Sequence, residues 1–148
     1  MREEPDSGER EQAHELGDGD RERHEGGVVA IFLDRLRDGR PTEIFGDGLQ
    51  TRDFVHVGDV AAALLAAVGG RGVYNVGSGV ATRIVDLHRL CAETAGVAQE
   101  PSFGEARPGD LRHSVLDAGL AERELGWRAE TPLRDGLART WDWTRAAA

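Results

Sequence analysis

Apolar residues recur at intervals of three and four along five segments of the chain, and this spacing predicts five amphipathic helices. The first covers residues 28–37, and Gly39 and Pro41 are expected to end it, because glycine suits a left-handed cap and proline stops a helix. A second helix is predicted to begin near residue 59, a third to cover about 83–95, and a fourth to cover 118–125. The fifth is the last element of the chain. Their expected N-terminal caps are Asp59, Thr82 and Asp117. The apolar stripe of the second helix is Val60, Ala61, Leu64, Leu65 and Val68, and that of the last is Leu133, Leu137, Trp141 and Thr144.

Shorter apolar runs between these helices predict strands. Residues 42–45, 53–57 and 73–76 have this pattern, and 102–103 and 114–116 can form short strand pairings. The helices outnumber the strands, and 148 residues allow one small domain. The fold class predicted from the pattern is therefore α/β, with a thin core.

Residues 1–27 have a different composition from the rest of the chain. They hold ten Asp or Glu and four Arg, which gives −6 of the total net charge of −9, and their only apolar side chains are Met1, Ala13 and Leu16. Such a segment cannot bury enough surface to offset its ordering entropy. We predict a disordered acidic tail over 1–27 and a folded portion over 28–146. His14 and His24 could form a metal site within the tail, but a solvated segment is the simpler expectation.

The overall charge and composition exclude several classes of function. An acidic chain is not expected to bind nucleic acid, and no apolar run is long enough to span a membrane. The single cysteine, Cys91, fits a cytoplasmic location and is expected to be a buried, inert thiol. All 18 basic residues are arginine, so a Walker A loop and a Tyr-x-x-x-Lys catalytic pair are both absent. No spacing typical of a metal site or a catalytic triad stands out, and we predict neither.

The stretch from Ile44 to Val57 has the features of an anion-binding loop. Gly46 and Gly48 allow the backbone to turn tightly and approach a ligand closely. Arg52 then offers a planar fork of donors that suits a phosphate or a carboxylate. These residues predict a clamp for a phosphate group.

The same stretch, IFGDGLQTRDFVHVGDVA, resembles the sugar-nucleotide-binding segment of the extended short-chain dehydrogenases, in particular the NAD-dependent epimerases and dehydratases of the UDP-glucose 4-epimerase type. The similarity continues through VYNVGSG, EARPGDLRHSVLD and AERELGWRAETPLRDGLARTWDW, in the order found in the family, over about residues 26–146. The implied fold is the substrate-binding lobe of an extended Rossmann-type short-chain dehydrogenase, lacking the N-terminal cofactor-binding sheet. Some apolar faces are then expected to lack a partner.

The resemblance implies roles for five residues. Arg52 and Arg107 would contact the diphosphate of a nucleotide sugar, and Asp110 would accept hydrogen bonds from the ribose. Asp110 could equally be a turn or helix cap. Ile44 and Phe45 would line the base, or they could be core residues, or both. Where some family members place tyrosines near the sugar, this chain has Phe54 and Ser114, so the sugar stays open.

Gly77-Ser78-Gly79 superficially matches a dinucleotide-binding loop, because it follows a predicted strand and precedes a predicted helix. The third glycine of that motif is Thr82 here, and the resemblance implies a structural turn. Tyr74, His56 and His88 lie among apolar residues and are expected to be packed, and His113 to be exposed. We therefore predict no catalytic, cofactor-binding or metal-binding residue.

Together these features predict the nucleotide-diphosphate-sugar-binding portion of an NAD-dependent sugar epimerase or dehydratase. Its ligand would be UDP- or dTDP-linked; NAD is expected for the full-length family but not bound by this chain alone. The chain is expected to be inactive alone, because the cofactor loop and the Tyr-x-x-x-Lys pair are missing. The alternatives are a non-catalytic binding module and a non-functional fragment of a truncated gene. The oligomeric state is not predicted.

Overall fold

A computed structural model of the protein describes residues 27–146. The predicted acidic tail, with His14 and His24, lies outside the described residues except for Gly27. The described chain forms a mixed α/β fold, as its pattern predicts. Its helices are α1 (Val28–Arg37), α2 (Val57–Ala66), α3 (Ile84–Ala95), α4 (Gly119–Leu125) and α5 (Leu133–Ala146). Its strands are β1 (Glu43–Phe45), β2 (Thr51–Arg52), β3 (Thr82–Arg83), β4 (Ser102–Gly104) and β5 (His113–Ser114).

The main core lies between α1, α3 and α5, whose apolar positions recur at helical spacing. Phe32, Leu33, Leu87 and Leu137 are almost completely buried there. Ile44 of β1 extends this core to the sheet. Gly96 ends α3 in the left-handed conformation, with φ of 70°, as expected for a glycine cap. The predictions for α1, α3 and α5 are therefore confirmed by the packing.

Two small sheets connect the first half of the described chain to the segment 102–114. β1 pairs in parallel with β4, with Ile44 opposite Phe103. β2 lies between β3, which is antiparallel to it, and β5, which is parallel, so that Arg52 lies opposite Thr82 on one side and Ser114 on the other. The loop between β4 and β5, which contains Arg107 and Asp110, is thereby held beside Phe45 and Arg52.

The predictions around α2 are partly wrong. Residues 53–57 are not a strand. The strand pairing occurs just before them, at Thr51–Arg52 of β2, and α2 begins at Val57. The cap is His56, whose Nδ1 accepts from the Gly58 amide at 3.1 Å. Asp59 instead accepts from the amide and hydroxyl of Thr131, at 2.9 and 3.1 Å, so it connects α2 to the segment before α5.

The apolar stripe predicted for α2 is also largely unburied. Only Ala63 is buried in this helix, whereas the side chains of Leu64, Leu65 and Val68 are 68%, 76% and 81% exposed. The predicted strand 73–76 has no strand partner among the described residues, and Val73 is 92% exposed. Both segments have the apolar pattern of a packed element, but within residues 27–146 their packing is partial. Ala63, Tyr74 and Val76 join a small cluster, whereas Leu64, Leu65 and Val73 stay exposed.

The remaining cap predictions have mixed outcomes. Thr82 lies in β3 rather than at a cap, and α3 begins after Arg83, which forms no capping bond with its side chain. Asp117 does accept from the Gly119 amide at 2.8 Å, at the start of α4. The difference at Thr82 arises because its backbone pairs with Arg52, which extends the chain before the helix.

Candidate functional site

A cavity of about 240 Å³ lies between α1, β1, β2 and the loop that joins β4 to β5. All five residues to which the resemblance gives a binding role line it: Ile44, Phe45, Arg52, Arg107 and Asp110. They come from three separate parts of the sequence and are brought together by the two sheets. The structure therefore places the predicted site residues around one space.

Arg52 is held in place by three acceptors. One of its terminal nitrogens, Nη1, donates to the carbonyls of Thr51 at 2.7 Å and Leu111 at 2.6 Å, and the other, Nη2, pairs with the Asp110 carboxylate. The Arg52 side chain is 26% exposed. Of its five N–H groups, three are thus used within the chain, and the rest can serve a ligand.

Asp110 is the partner of Arg52 in this structure. Its carboxylate accepts from Arg52, while its backbone amide donates to the Arg107 carbonyl at 3.2 Å in a turn. The carboxylate is acceptor-only when ionised and has further lone pairs beyond the one that Arg52 uses. Asp110 can therefore orient Arg52 and still accept from a hydroxyl in the cavity.

Arg107 is positioned by an aromatic ring rather than by a carboxylate. Its guanidinium carbon lies 4.0 Å from the centroid of the Phe45 ring, within the range of a cation–π contact. Among residues 27–146, no carboxylate lies within ion-pairing distance of Arg107. Its charge is consequently available to an anion in the cavity, and the contact with Phe45 limits its movement.

Ile44 and Phe45 have different positions in the wall. Ile44 is fully buried and belongs to the main core, whereas Phe45 is half-buried with its ring against Arg107. Ile44 therefore belongs both to the core and to the cavity wall, the two alternatives considered for this pair. Phe45 lies mainly at the cavity.

The turn that leads from β1 to β2 is fixed by a glycine conformation and by an ion pair. Gly48 has a φ of 72°, and a Cβ there would lie 3.1 Å from the Val85 Cβ, so glycine is needed for both conformation and space. Asp47 forms a two-pronged pair with Arg112, at 2.6 and 3.0 Å. This pair lowers the pKa of Asp47 below its ordinary value. The turn is thus anchored to Arg112, which directly precedes β5, the strand that pairs with β2.

Three further polar residues line the cavity and were not predicted: Arg35, Glu43 and Gln50. Arg35 follows Val28, Ile31 and Phe32 at helical spacing on α1, which was a usable signal. Gln50 donates to the Phe45 carbonyl at 2.9 Å and supports the turn. Glu43 lies two residues before Phe45 on β1, so both side chains project to the same face of the strand. It could therefore have been found once that strand was assigned to the site.

Gly77-Ser78-Gly79 forms a cradle for a carboxylate of the chain itself. Asp53 accepts from the Ser78 amide and hydroxyl at 2.8 and 2.5 Å, and from the amides of Gly79 and Leu116 at 3.0 and 3.2 Å. Burial raises the pKa of Asp53, but these hydrogen bonds outweigh burial, and the pKa is lowered overall. The amides that would hold a phosphate in a dinucleotide loop are already used.

The other side chains considered in the sequence have structural contacts. His88 is buried and 2.7 Å from the Thr42 hydroxyl, and the Tyr74 hydroxyl donates to Glu124 at 2.9 Å. Cys91 is fully buried, and burial raises the pKa of its thiol to about 12, as expected for an inert thiol. His113 is exposed, as predicted, and contacts the Thr51 hydroxyl at 3.1 Å.

Neither a membrane span nor a metal cluster is found in the part of the chain that the structure describes. None of its helices has the length and apolar character needed to cross a bilayer. Residues 27–146 contain no group of three or more His, Cys, Asp or Glu side chains arranged to hold a metal ion.

Comparison with known proteins identifies the family. The model of the NAD dependent epimerase/dehydratase family matches residues 13–77. Over 124 residues, the chain is 46% identical to the UDP-glucose 4-epimerase of Mycolicibacterium smegmatis, an alignment that covers 82% of this chain and 40% of that protein. The family match begins inside the segment predicted as an acidic tail, so the similarity extends further towards the N-terminus than the motifs indicated.

Solved structures agree with this result. The UDP-glucose 4-epimerase of Thermotoga maritima, determined with UDP-glucose, superposes with a TM-score of 0.81 at 40% identity, over 84% of this chain and 41% of that one. MoeE5, in complex with UDP-glucuronic acid and NAD, superposes with a TM-score of 0.77 at 36% identity, over 82% of this chain and 42% of that one.

The chain belongs to the NAD dependent epimerase/dehydratase family, and the resemblance seen in its motifs is confirmed. Its similarity is to UDP-glucose 4-epimerases in particular. It spans about 40% of the length of these relatives.

Proposed function

We propose that the chain is the nucleotide-diphosphate-sugar-binding portion of an NAD-dependent sugar epimerase or dehydratase. The observation that supports this most directly is the meeting of Ile44, Phe45, Arg52, Arg107 and Asp110 around one cavity. The guanidinium groups of Arg52 and Arg107, two of the three arginines that line that cavity, match the charge of a diphosphate, which needs convergent cations. A cavity of about 240 Å³ is smaller than a typical complete ligand pocket of roughly 300–1,000 Å³, so it would hold part of a nucleotide sugar.

In this proposal each of the five residues has a role. Arg107, which pairs with no carboxylate among residues 27–146, supplies one cation to the diphosphate, and Arg52 supplies a second, oriented by Asp110. Asp110 also accepts from a ribose hydroxyl through its remaining lone pairs. Ile44 and Phe45 form the apolar wall beside the base. The ligand is a UDP- or dTDP-linked sugar, and the protein is cytoplasmic.

NAD does not fit the glycine-rich turn that this chain contains. The amides of Ser78 and Gly79 donate to Asp53, and the backbone there closes around that carboxylate. The sequence has no lysine to complete a Tyr-x-x-x-Lys pair, and Tyr74, its only tyrosine, donates to Glu124. We therefore propose that this polypeptide alone binds a nucleotide sugar without turning it over.

The test is calorimetric titration of the chain with UDP, before and after Arg107→Ala. The variant should lose about tenfold or more in affinity, because a charged hydrogen-bonding group contributes roughly 1.5–3 kcal/mol. Its melting temperature should hardly change, since Arg107 forms no ion pair in the described chain. Arg139→Ala is the matched control: this arginine is exposed on α5, away from the cavity, and its removal should leave the affinity unchanged.

Arg52→Ala should behave differently from Arg107→Ala. It should weaken UDP binding and also lower the melting temperature, because it leaves the Thr51 and Leu111 carbonyls and the Asp110 carboxylate without their donor. Equal UDP affinity in the native chain, Arg107→Ala and Arg52→Ala would contradict the proposed site. Reproducible conversion of UDP-glucose or UDP-galactose by the pure chain would contradict the proposed lack of turnover.

A second candidate is a module that binds another protein, and the exposed apolar face of α2 favours it. A cooperative melt that UDP moves to higher temperature supports the nucleotide-sugar site. A cooperative melt that UDP leaves unchanged favours the protein-binding module. Strong dye binding without a cooperative melt indicates an unstable fragment.

A further inference from the structure

Glu43 places a carboxylate in a cavity that is lined by three arginines and by one other carboxylate, Asp110, which pairs with Arg52. It lines the same space as Arg35, Arg52 and Arg107. Within residues 27–146 it forms no ion pair with any of these arginines. A diphosphate near Glu43 would be repelled, so this side chain suits a part of the ligand that presents hydrogen-bond donors instead.

The position of the carboxylate is defined by the strand pair. Glu43 and Phe45 are two residues apart on β1 and so project to the same face, and Phe45 pairs with Gly104 of β4. A Cβ at Gly104 would lie 2.6 Å from the Glu43 Oε1 atom and 3.5 Å from Cδ1 of Phe45. The carboxylate and the ring therefore lie side by side above Gly104, and the absence of a side chain there makes room for both.

A carboxylate beside an aromatic wall can discriminate between bases by their edges. An ionised carboxylate only accepts hydrogen bonds. Uracil and thymine present an N3–H group, whereas the corresponding N3 of cytosine is a lone pair that the carboxylate repels. The two pyrimidine nucleotides UDP and CDP differ at this edge and carry the same ribose and diphosphate.

We infer that Glu43 selects the base of the bound nucleotide by accepting the N3–H of uracil or thymine and disfavouring cytosine. This inference rests on the proposed nucleotide-sugar site and adds a specificity-determining residue to it. The diphosphate is held by the arginines, and the base edge meets Glu43 beside Phe45.

The experiment compares UDP, dTDP and CDP by calorimetric titration of the full chain and of Glu43→Gln. The native chain should bind UDP and dTDP about tenfold or more tightly than CDP, the usual consequence of leaving a charged group without its partner. Glutamine offers both a donor and an acceptor, so the variant should bind UDP more weakly and CDP more tightly, and their affinity ratio should fall towards one.

Glu105→Gln is the control for the change in charge. Glu105 is exposed in the segment after β4 and does not line the cavity, so this variant should keep the native ratio. Equal binding of UDP and CDP by the native chain, or an unchanged ratio in a folded Glu43→Gln variant, overturns the inference and leaves the proposed site intact. Absence of binding by all three nucleotides overturns the site and the inference together.

Discussion

His88 is a residue whose burial makes the stability of the chain depend on pH. Its Nε2 atom lies 2.7 Å from the Thr42 hydroxyl, which donates to the Gln99 side-chain oxygen at 3.0 Å. The hydroxyl has one hydrogen, so Nε2 of His88 must carry a hydrogen and donate it to the Thr42 oxygen. Burial lowers the pKa of His88 from its ordinary value, against a smaller opposing effect of Glu100.

The sign of the pH dependence follows from this lowered pKa. Between the lowered folded pKa and about pH 6.5, the unfolded chain binds a proton at this histidine while the folded chain does not, so lowering the pH in this range favours the unfolded state. The stability that the buried, neutral His88 contributes to the folded state is fully present above about pH 6.5 and is lost as the pH falls towards the folded pKa. We expect the melting temperature to decrease between pH 7.5 and 5.5 more steeply in the native chain than in His88→Gln.

The comparison of slopes separates titration from packing. His88→Gln should be less stable at every pH, because it changes the contacts with Thr42 and Phe32. His113→Gln is the matched control, since His113 is exposed and should leave the slope as it is in the native chain. Parallel curves for the native chain and His88→Gln would show that His88 does not produce the effect.

Among the elements, the turn formed by Gly77-Ser78-Gly79 stabilises the fold by donating hydrogen bonds to the Asp53 carboxylate. A Cβ at Gly77 would lie 2.6 Å from the Asp53 Oδ2 atom and 2.9 Å from the Leu116 Cβ, so alanine there must displace the carboxylate. Asp53→Asn replaces one accepting oxygen with a donor that faces the amides of Gly79 and Leu116. We expect each substitution to lower the free energy of unfolding by roughly 1–3 kcal/mol, measured by urea denaturation.

Gly27→Ala is the control for the glycine substitution. Among residues 27–146, no atom lies within 4 Å of a Cβ at Gly27, and its φ of −60° suits alanine, so the change should stay within about 0.5 kcal/mol. If Gly77→Ala were as mild as Gly27→Ala, the close contact with Asp53 would not exist in solution.

The helices were more predictable than the strands, for physical reasons. In α1, α3 and α5 a repeated apolar spacing coincides with burial against the same core, so the local pattern indicates the packing. β2 has only two residues, and its pairing with β3 and β5 depends on segments about 30 and 60 positions away. The strand was therefore predicted at 53–57, where the apolar residues are, rather than at Thr51–Arg52.

The candidate site was predictable in its residue types but not in its connections. Arg52, Arg107 and Asp110 were found because they stand in motifs of a recognised family. The pairing of Arg52 with Asp110 and the stacking of Arg107 on Phe45 arise from the register of β1 with β4 and β2 with β5, which no local pattern specifies. Glu43 was missed because it belongs to no motif, and its position two residues before Phe45 on the predicted strand 42–45 was its only signal.

For the molecule as a whole, burial is uneven. The core of α1, α3 and α5 is well filled, whereas a second, smaller cluster contains only Ala63, Ala121 and Trp127 as buried residues. The α2 helix contacts this second cluster through Ala63 and exposes its leucines. The chain spans about 40% of the length of its relatives, and an apolar face that residues 27–146 leave exposed fits the expectation that some faces lack a partner.

This unevenness predicts which leucines matter to the isolated chain. The double substitution Leu64→Gln and Leu65→Gln should change the free energy of unfolding by no more than about 0.5 kcal/mol for each residue, because both side chains are mostly exposed. It should also reduce the binding of a hydrophobic dye and any association that rises with concentration, because it removes exposed apolar surface. Leu87→Ala, at a fully buried position, should cost roughly 2–5 kcal/mol and serves as the contrast.

Denaturation curves, dye fluorescence and light scattering measure these effects. A loss of stability in the double variant as large as that in Leu87→Ala would mean that the α2 face is buried in solution, by another copy of the chain or by a rearrangement of the fold.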